Sequence, residues 1–124
     1  MIEVNDMTLL KLRTFLPSKD YETSKAFYQA LGFNIAWEGD DLTIMKHADI
    51  EFFIQKFYFK DWAENTMFQL FVEDIKVFYE QVKTIKETFP MIRFKPIQEE
   101  DYGTTFHLID PAGVLIHVMQ HVST

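Results

Sequence analysis

Two stretches of this chain carry the same succession of apolar periodicities, and that repetition restricts the possible folds more than any single motif does. The first is predicted as a strand over 8–16, a helix over 20–31 and strands near 34–38, 42–46 and 50–55. The second is predicted as a strand over 67–72, a helix over 74–87 and strands near 93–97, 104–109 and 114–120. In the first helix Tyr21, Ser24, Phe27, Tyr28 and Leu31 recur at helical spacing, with Asp20 as N-cap and Gly32 as the stop. In the second, Ile75, Phe78, Val82 and Ile85 form the apolar stripe, opened by Asp74 and closed by Phe89-Pro90. Phe15-Leu16-x-x-x-Asp20 is echoed by Phe71-Val72-x-Asp74, and Phe27-Tyr28 by Phe78-Tyr79. The expected architecture is α+β: two tandem βαβββ units with curled mixed sheets forming a cleft. Residues 1–124 make a single domain, with half-units at about 8–56 and 67–121 joined by a charged, aromatic link over 56–66. One such unit cannot cover both faces of its sheet, so two must pair.

The strongest local signal is Asp110-Pro111-Ala112-Gly113, which has the chemistry of a tight turn: Asp first, Pro presetting φ, Gly at the fourth position. The apolar runs on either side read as a hairpin. Regular pairing across that turn puts Phe106 opposite His117 and His107 opposite Ile116, so the two histidines are expected on opposite faces. The same parity groups Tyr102, Phe106 and Leu108 with Leu115 and His117, and Met67 with Gln69 and Phe71.

Composition narrows the function. Nineteen acidic residues against 12 basic give a net charge of -7, which repels phosphate backbones and suits a cationic partner or plain solubility, so no nucleic-acid partner is expected. No apolar run approaches the length of a membrane span and no signal segment is present, so no membrane partner and a cytoplasmic location are expected. The absence of cysteine excludes disulfides, thiolate metal sites and thiol nucleophiles. Thirteen phenylalanines exceed what a core of this size needs, which leaves aromatic side chains to line a pocket.

The first strand-to-helix unit (Leu16 to Phe33, with Phe27-Tyr28 inside the helix and Leu31-Gly32-Phe33 closing it) and the Asp-Pro-x-Gly turn before the last strand together resemble the vicinal oxygen chelate superfamily. That superfamily includes glyoxalase I, extradiol dioxygenases, fosfomycin-modifying enzymes and the bleomycin resistance proteins. The resemblance runs from about Leu10 to Met119 and implies a homodimer whose clefts are built from paired units. It also implies where a metal would be held in metal-using members: at the positions of Arg13, Met67 and His117. A guanidinium has no lone pair to give and a thioether suits soft Cu(I), so no metal, no cofactor and no catalytic residue are expected. The alternatives are a glyoxalase-like lyase or dioxygenase-like enzyme using a different site around His117, and a metabolite-binding module.

Two segments resemble the bleomycin resistance branch in particular: Glu64-Asn65-Thr66-Met67 entering the fifth strand, and Glu99-Glu100-Asp101-Tyr102-Gly103 before the final hairpin. The resemblance implies a ligand groove at Trp37, Phe53, Glu64, Gln69 and Tyr102, with Arg13, Met67, Phe106 and His117 around the same cleft. Aromatic faces and acidic rims suit a small aromatic or cationic ligand, in its sharpest form a bleomycin-like drug held without chemistry. Arg13 in such a cleft needs Glu51, Glu64 or a ligand carboxylate beside it.

Overall fold

The computed structural model describes residues 8–121. Its elements are β1 (Phe15–Pro17), α1 (Tyr21–Leu31), β2 (Asn34–Glu38), β3 (Leu42–His47), β4 (Ile50–Gln55), α2 (Lys60–Glu64), β5 (Met67–Phe71), α3 (Ile75–Thr88), β6 (Arg93–Phe94), β7 (Gln98–Glu100), β8 (Gly103–Ile109) and β9 (Leu115–His121). Both long helices start at an aspartate. The Asp20 side chain accepts from Thr23 N, and Asp74 accepts from Lys76 N and Val77 N, which satisfies backbone donors that the first turn leaves free. α1 stops at Gly32, whose φ of 118° no side-chain-bearing residue adopts easily.

The strand order is β1-β4-β3-β2 in one sheet and β5-β9-β8-β6 in the other, with β7 also on β8. In each sheet the first strand of the unit lies parallel to the last, β1 on β4 and β5 on β9, and the remaining pairs are antiparallel. The two βαβββ units expected from the repetition are therefore present with equivalent connections. One buried cluster serves both. Leu16, Phe27, Tyr28, Phe52 and Ile54 from the first unit share it with Val82, Phe106, Leu108, Ile116 and Val118 from the second. Phe27 meets Phe89 edge-on at 5.7 Å, and Phe52 lies 6.3 Å from Phe68 across the sheets. Among the described residues no helix is long and apolar enough to cross a membrane.

Three expectations are corrected. The strand expected over 8–16 is reduced to Phe15–Pro17 (β1), because ladder pairing with β4 begins at Phe15, preceded by the bond from Phe53 N to Thr14 O. The strand expected over 93–97 breaks after Phe94, since Pro96 has no N–H to continue the ladder once Lys95 N has bonded His107 O; pairing resumes in β7. The link over 56–66 contains α2, which periodicity did not announce.

The fourth correction is the register of the final hairpin. Ile109 pairs with Leu115 and His107 with His117, so Phe106 stands opposite Val118 and not His117. The loop holds three residues between Asp110 and Val114, not two. Asp110 N donates to Val114 O at 2.9 Å, and Gly113 takes φ 101°, the left-handed residue that closes a three-residue hairpin. A shift of one residue moves every side chain of the partner strand to the other face.

The turn is built on the buried carboxylate of Asp110. Its Oδ1 accepts from Ala112 N at 2.8 Å and Val114 N at 2.9 Å, and its Oδ2 accepts from the Tyr28 hydroxyl at 2.7 Å. Tyr28 is fully buried, and burial together with the charge of Asp110 pushes its phenol well above the ordinary range, so the hydroxyl keeps its proton as donor. Tyr28→Phe leaves Oδ2 without a partner and should cost about 2 kcal/mol, read as a lower urea midpoint with unchanged slope. Burial also pushes the Asp110 carboxyl up, against the pull of Tyr28 and the turn N–H groups. A carboxyl whose folded pKa is raised favours the fold when protonated and loses that contribution as pH rises through the folded pKa. The stability of the wild type relative to Asp110→Asn should therefore increase as pH falls from neutral into the range just above ordinary carboxylates. An unchanged difference would contradict the buried carboxylate.

Candidate functional site

Each sheet buries one face in the core and leaves the other open. On the first sheet the register aligns Phe15, Phe53, Ile44 and Trp37 in one row across β1, β4, β3 and β2. Phe15 stacks on Phe53 with ring centres 4.4 Å apart and 11° between planes. Trp37 is 53% exposed, and its indole folds back over Gly39: a Cβ there would lie 2.6 Å from Trp37 Cη2, so a side chain at that position would push the ring from its place.

The cation of the first face is held inside the chain. Arg13 lies with its guanidinium 5.1 Å from the centre of the Phe53 ring and its Nε 2.8 Å from Glu51 Oε2, while Lys11 Nζ reaches the other carboxylate oxygen at 2.6 Å. The Arg13 N–H is not aimed at the oxygen, so the contact is an ion pair without a full hydrogen bond. The hydrogen bond from Lys11, with the charges of Arg13 and Lys46, holds the Glu51 carboxyl below its usual range. Of the partners Arg13 needed, Glu51 is the one it finds.

On the second sheet Met67, Gln69 and Phe71 of β5 align with Leu115, His117 and Met119 of β9. Gln69 Nε2 lies 3.0 Å from His117 Nδ1 and 3.4 Å from Met119 Sδ. His107 faces His117 across the ladder, ring centres 5.3 Å apart and planes 71° apart, and Tyr102 approaches His117 from the turn at 6.4 Å. Gly103 makes that turn possible, because its φ is 153° and a Cβ would come 2.5 Å from Gln120 O. Met67 and Tyr102 are more than half exposed.

The structure thus gathers Arg13 with Phe53, and Gln69 with Tyr102 and His117, but on two different sheets. Among the described residues no hydrogen bond, ion pair or ring contact joins the two groups. Glu51 of one sheet and Gln69 of the other both line a small cavity of about 120 Å³, together with Leu16, Phe52 and Phe68. Glu64 ends α2 on the far side, beside Gly113 of the hairpin turn. Phe106 leaves the expected group: it is 2% exposed and packs on Tyr79 and Phe78 at 5.0 and 6.2 Å. Leu108, grouped with it, is likewise core, because the corrected register turns both away from His117. Sequence reasoning missed His107 as a neighbour of His117; the signal was the odd loop length allowed by Gly113.

The three positions where the superfamily holds a metal do not fit a catalytic divalent ion. Arg13 is a cation already committed to Glu51, Met67 offers an exposed thioether, and His117 alone supplies an imidazole.

Comparison with known proteins places the chain. No family model matches it. A bleomycin resistance protein of Klebsiella pneumoniae is 33% identical over 115 residues, covering 86% of this chain and 88% of that protein. The crystal structure of a bleomycin resistance determinant encoded on transposon Tn5 has a TM-score of 0.75 at 25% identity, covering 92% of this chain and all of that one (100%). The bleomycin-binding protein of Streptomyces verticillus, complexed with copper(II)-bleomycin, shares the fold with a TM-score of 0.77 at 21% identity over 94% of this chain and 99% of that one.

Burial, and next the neighbouring His107, push the His117 imidazole below its ordinary value, while Glu100 pulls the other way. In an NMR titration His117 should therefore titrate below a free histidine, and His107→Ala should move it back upward. No movement in that variant would show that the two rings do not share a face.

Proposed function

We propose that this chain, which belongs to the bleomycin resistance protein family, binds a bleomycin-type antibiotic and sequesters it without chemical change. The observation that carries this reading is the pair of open sheet faces. One bears Phe15, Trp37 and Phe53 beside the Arg13–Glu51 pair, and the other bears Met67, Gln69 and His117 under Tyr102. Rings exposed in rows on a β-face bind flat and cationic groups, by stacking and by attraction to the ring faces. The net charge of -7 adds a field that draws a positively charged drug. Nothing in such binding requires a protein-held metal or a catalytic group.

The acting species in this reading is a cytoplasmic homodimer of the single domain, and the drug occupies a groove where the first face of one copy meets the second face of the other. Two features support the pairing. Phe15, Trp37, Met67 and Tyr102 are 45% to 64% exposed in the single chain, apolar surface on the two faces that a second copy would cover. The arm before β1 also carries Leu9, Leu10 and Leu12 at 96%, 88% and 93% exposure, an apolar segment that a second copy would cover.

Calorimetry with bleomycin should give about one drug per groove, and mass spectrometry should recover the drug unmodified. Tyr102→Ala should cost about 1 to 3 kcal/mol of binding, as expected for a stacking anchor. Sedimentation equilibrium should find a dimer at micromolar concentration, and removal of residues 1–12 should shift it toward monomer with loss of binding. Absence of binding heat in a properly folded dimer would overturn the antibiotic reading, and a monomer that binds fully would overturn the shared groove.

A further inference from the structure

We propose that His107 and His117 together form a binding site for a borderline transition-metal cation, Cu²⁺ foremost, on the open face of the second sheet. This site draws on neither Arg13 nor Met67; it shares His117 and Gln69 with the second open face but does not require that an antibiotic bind there.

The geometry carries it. The two histidines are direct cross-strand partners on adjacent antiparallel strands, so their side chains leave the sheet on the same side. With a metal–nitrogen bond of about 2.1 Å, two imidazoles that share one ion hold their ring centres about 4.5 to 5.5 Å apart. These rings stand 5.3 Å apart before any ion is present. Little rearrangement is needed, which removes much of the usual ordering cost of assembling a chelate from two side chains.

The nitrogen inventory fits. His107 is exposed, and among the described residues its ring nitrogens hold no hydrogen bond. His117 uses Nδ1 toward the Gln69 carboxamide at 3.0 Å, which leaves Nε2 as its free donor. As placed, the Gln69 amide nitrogen faces both His117 Nδ1 and Met119 Sδ, so ligation through Nε2 requires the carboxamide to turn, giving up the donation to sulfur, so that its oxygen accepts Nδ1–H behind the bound ion. Glu100 lies close enough to act on the charge of His117 and adds a favourable field for a cation. Two imidazole nitrogens suit Cu²⁺ ahead of Ni²⁺ or Zn²⁺ by the general order of divalent affinities, and hard oxygen-seeking ions such as Mg²⁺ find no ligand set here. No group of three or more His, Cys, Asp or Glu side chains gathers among the described residues, so the ion would keep open positions for water or for donor atoms of a second molecule.

The test titrates metal-free full-length protein with a copper(II) salt in a weakly coordinating buffer, followed by calorimetry and electron paramagnetic resonance. The expected result is one Cu²⁺ per chain with hyperfine coupling to two imidazole nitrogens. His107→Ala and His117→Ala should each weaken association by about tenfold or more, since loss of even an outer-shell partner commonly costs about that much. His47→Ala, whose ring lies at Gly32 O on the other sheet, should bind as the wild type does. Because His107 is exposed, its variant should fold normally, and circular dichroism checks that it does. Copper binding undiminished in folded His107→Ala, or a wild-type spectrum with a single imidazole nitrogen, would overturn the proposal.

Discussion

The buried carboxylate of Asp110 is the constraint on which the second half of the molecule depends. One oxygen closes the loop between β8 and β9 by accepting two backbone N–H groups, and the other receives the hydroxyl of Tyr28, 82 residues earlier in the chain. A charge taken this far from water persists only with several donors around it. Those donors fix the loop at three residues, the loop fixes the register, and the register decides which side chains of β8 face the core. Phe106 and Leu108 are buried, and His107 joins His117 outside, as consequences of that single hydrogen-bonded turn. Because Tyr28 belongs to α1, the same group also ties the first unit to the second.

The duplication explains why so much aromatic surface remains open. Each βαβββ unit supplies one long helix to one side of its sheet, of four strands in the first and five in the second, and the two helices pack against each other and the inner sheet faces in a single core. Among the described residues no third layer covers the outer faces. Phe15, Trp37, Met67 and Tyr102 are left between 45% and 64% exposed, an arrangement that costs hydrophobic free energy in the isolated chain and is recovered when something flat or apolar covers it. Stability and binding are therefore connected. The residues that the core does not use are the ones available to a ligand or to a second copy, while Arg13 brings a charge that Glu51 already balances.

Much of this could be read in the sequence, and the parts that could not have physical causes. Helix boundaries followed from Asp20, Gly32 and Asp74, because capping is a local interaction between a side chain and the next turn. The equivalence of the halves followed from periodicity and from the Phe27-Tyr28 and Phe78-Tyr79 echoes. The hairpin register did not, since Asp-Pro-Ala-Gly is compatible with loops of two or three residues and only the conformation of Gly113 separates them. The break at Pro96 and the gathering of Lys11, Arg13 and Glu51 likewise depend on which strands become neighbours. Of the nine residues expected around a ligand, the structure puts Arg13, Trp37 and Phe53 on one open face and Met67, Gln69, Tyr102 and His117 about the other. Glu64 stands at the rim of the second sheet, and Phe106 belongs to the core.

The central claim is that the two open faces, and not any other hollow of the molecule, receive the antibiotic. A hollow elsewhere, of about 470 Å³, is lined by Tyr21, Glu22, Lys25, Glu38 and Asp40, and the ammonium in its wall is already paired with Glu22 and Glu38. The direct measurement is an NMR map of side-chain and backbone shifts as bleomycin is added to labelled protein. The account requires the largest changes at the Trp37 indole, the Gln69 carboxamide and the rings of Tyr102 and His117, with Tyr21 and Lys25 unmoved. Changes concentrated around Tyr21, Lys25 and Asp40, with the open faces silent, would contradict it.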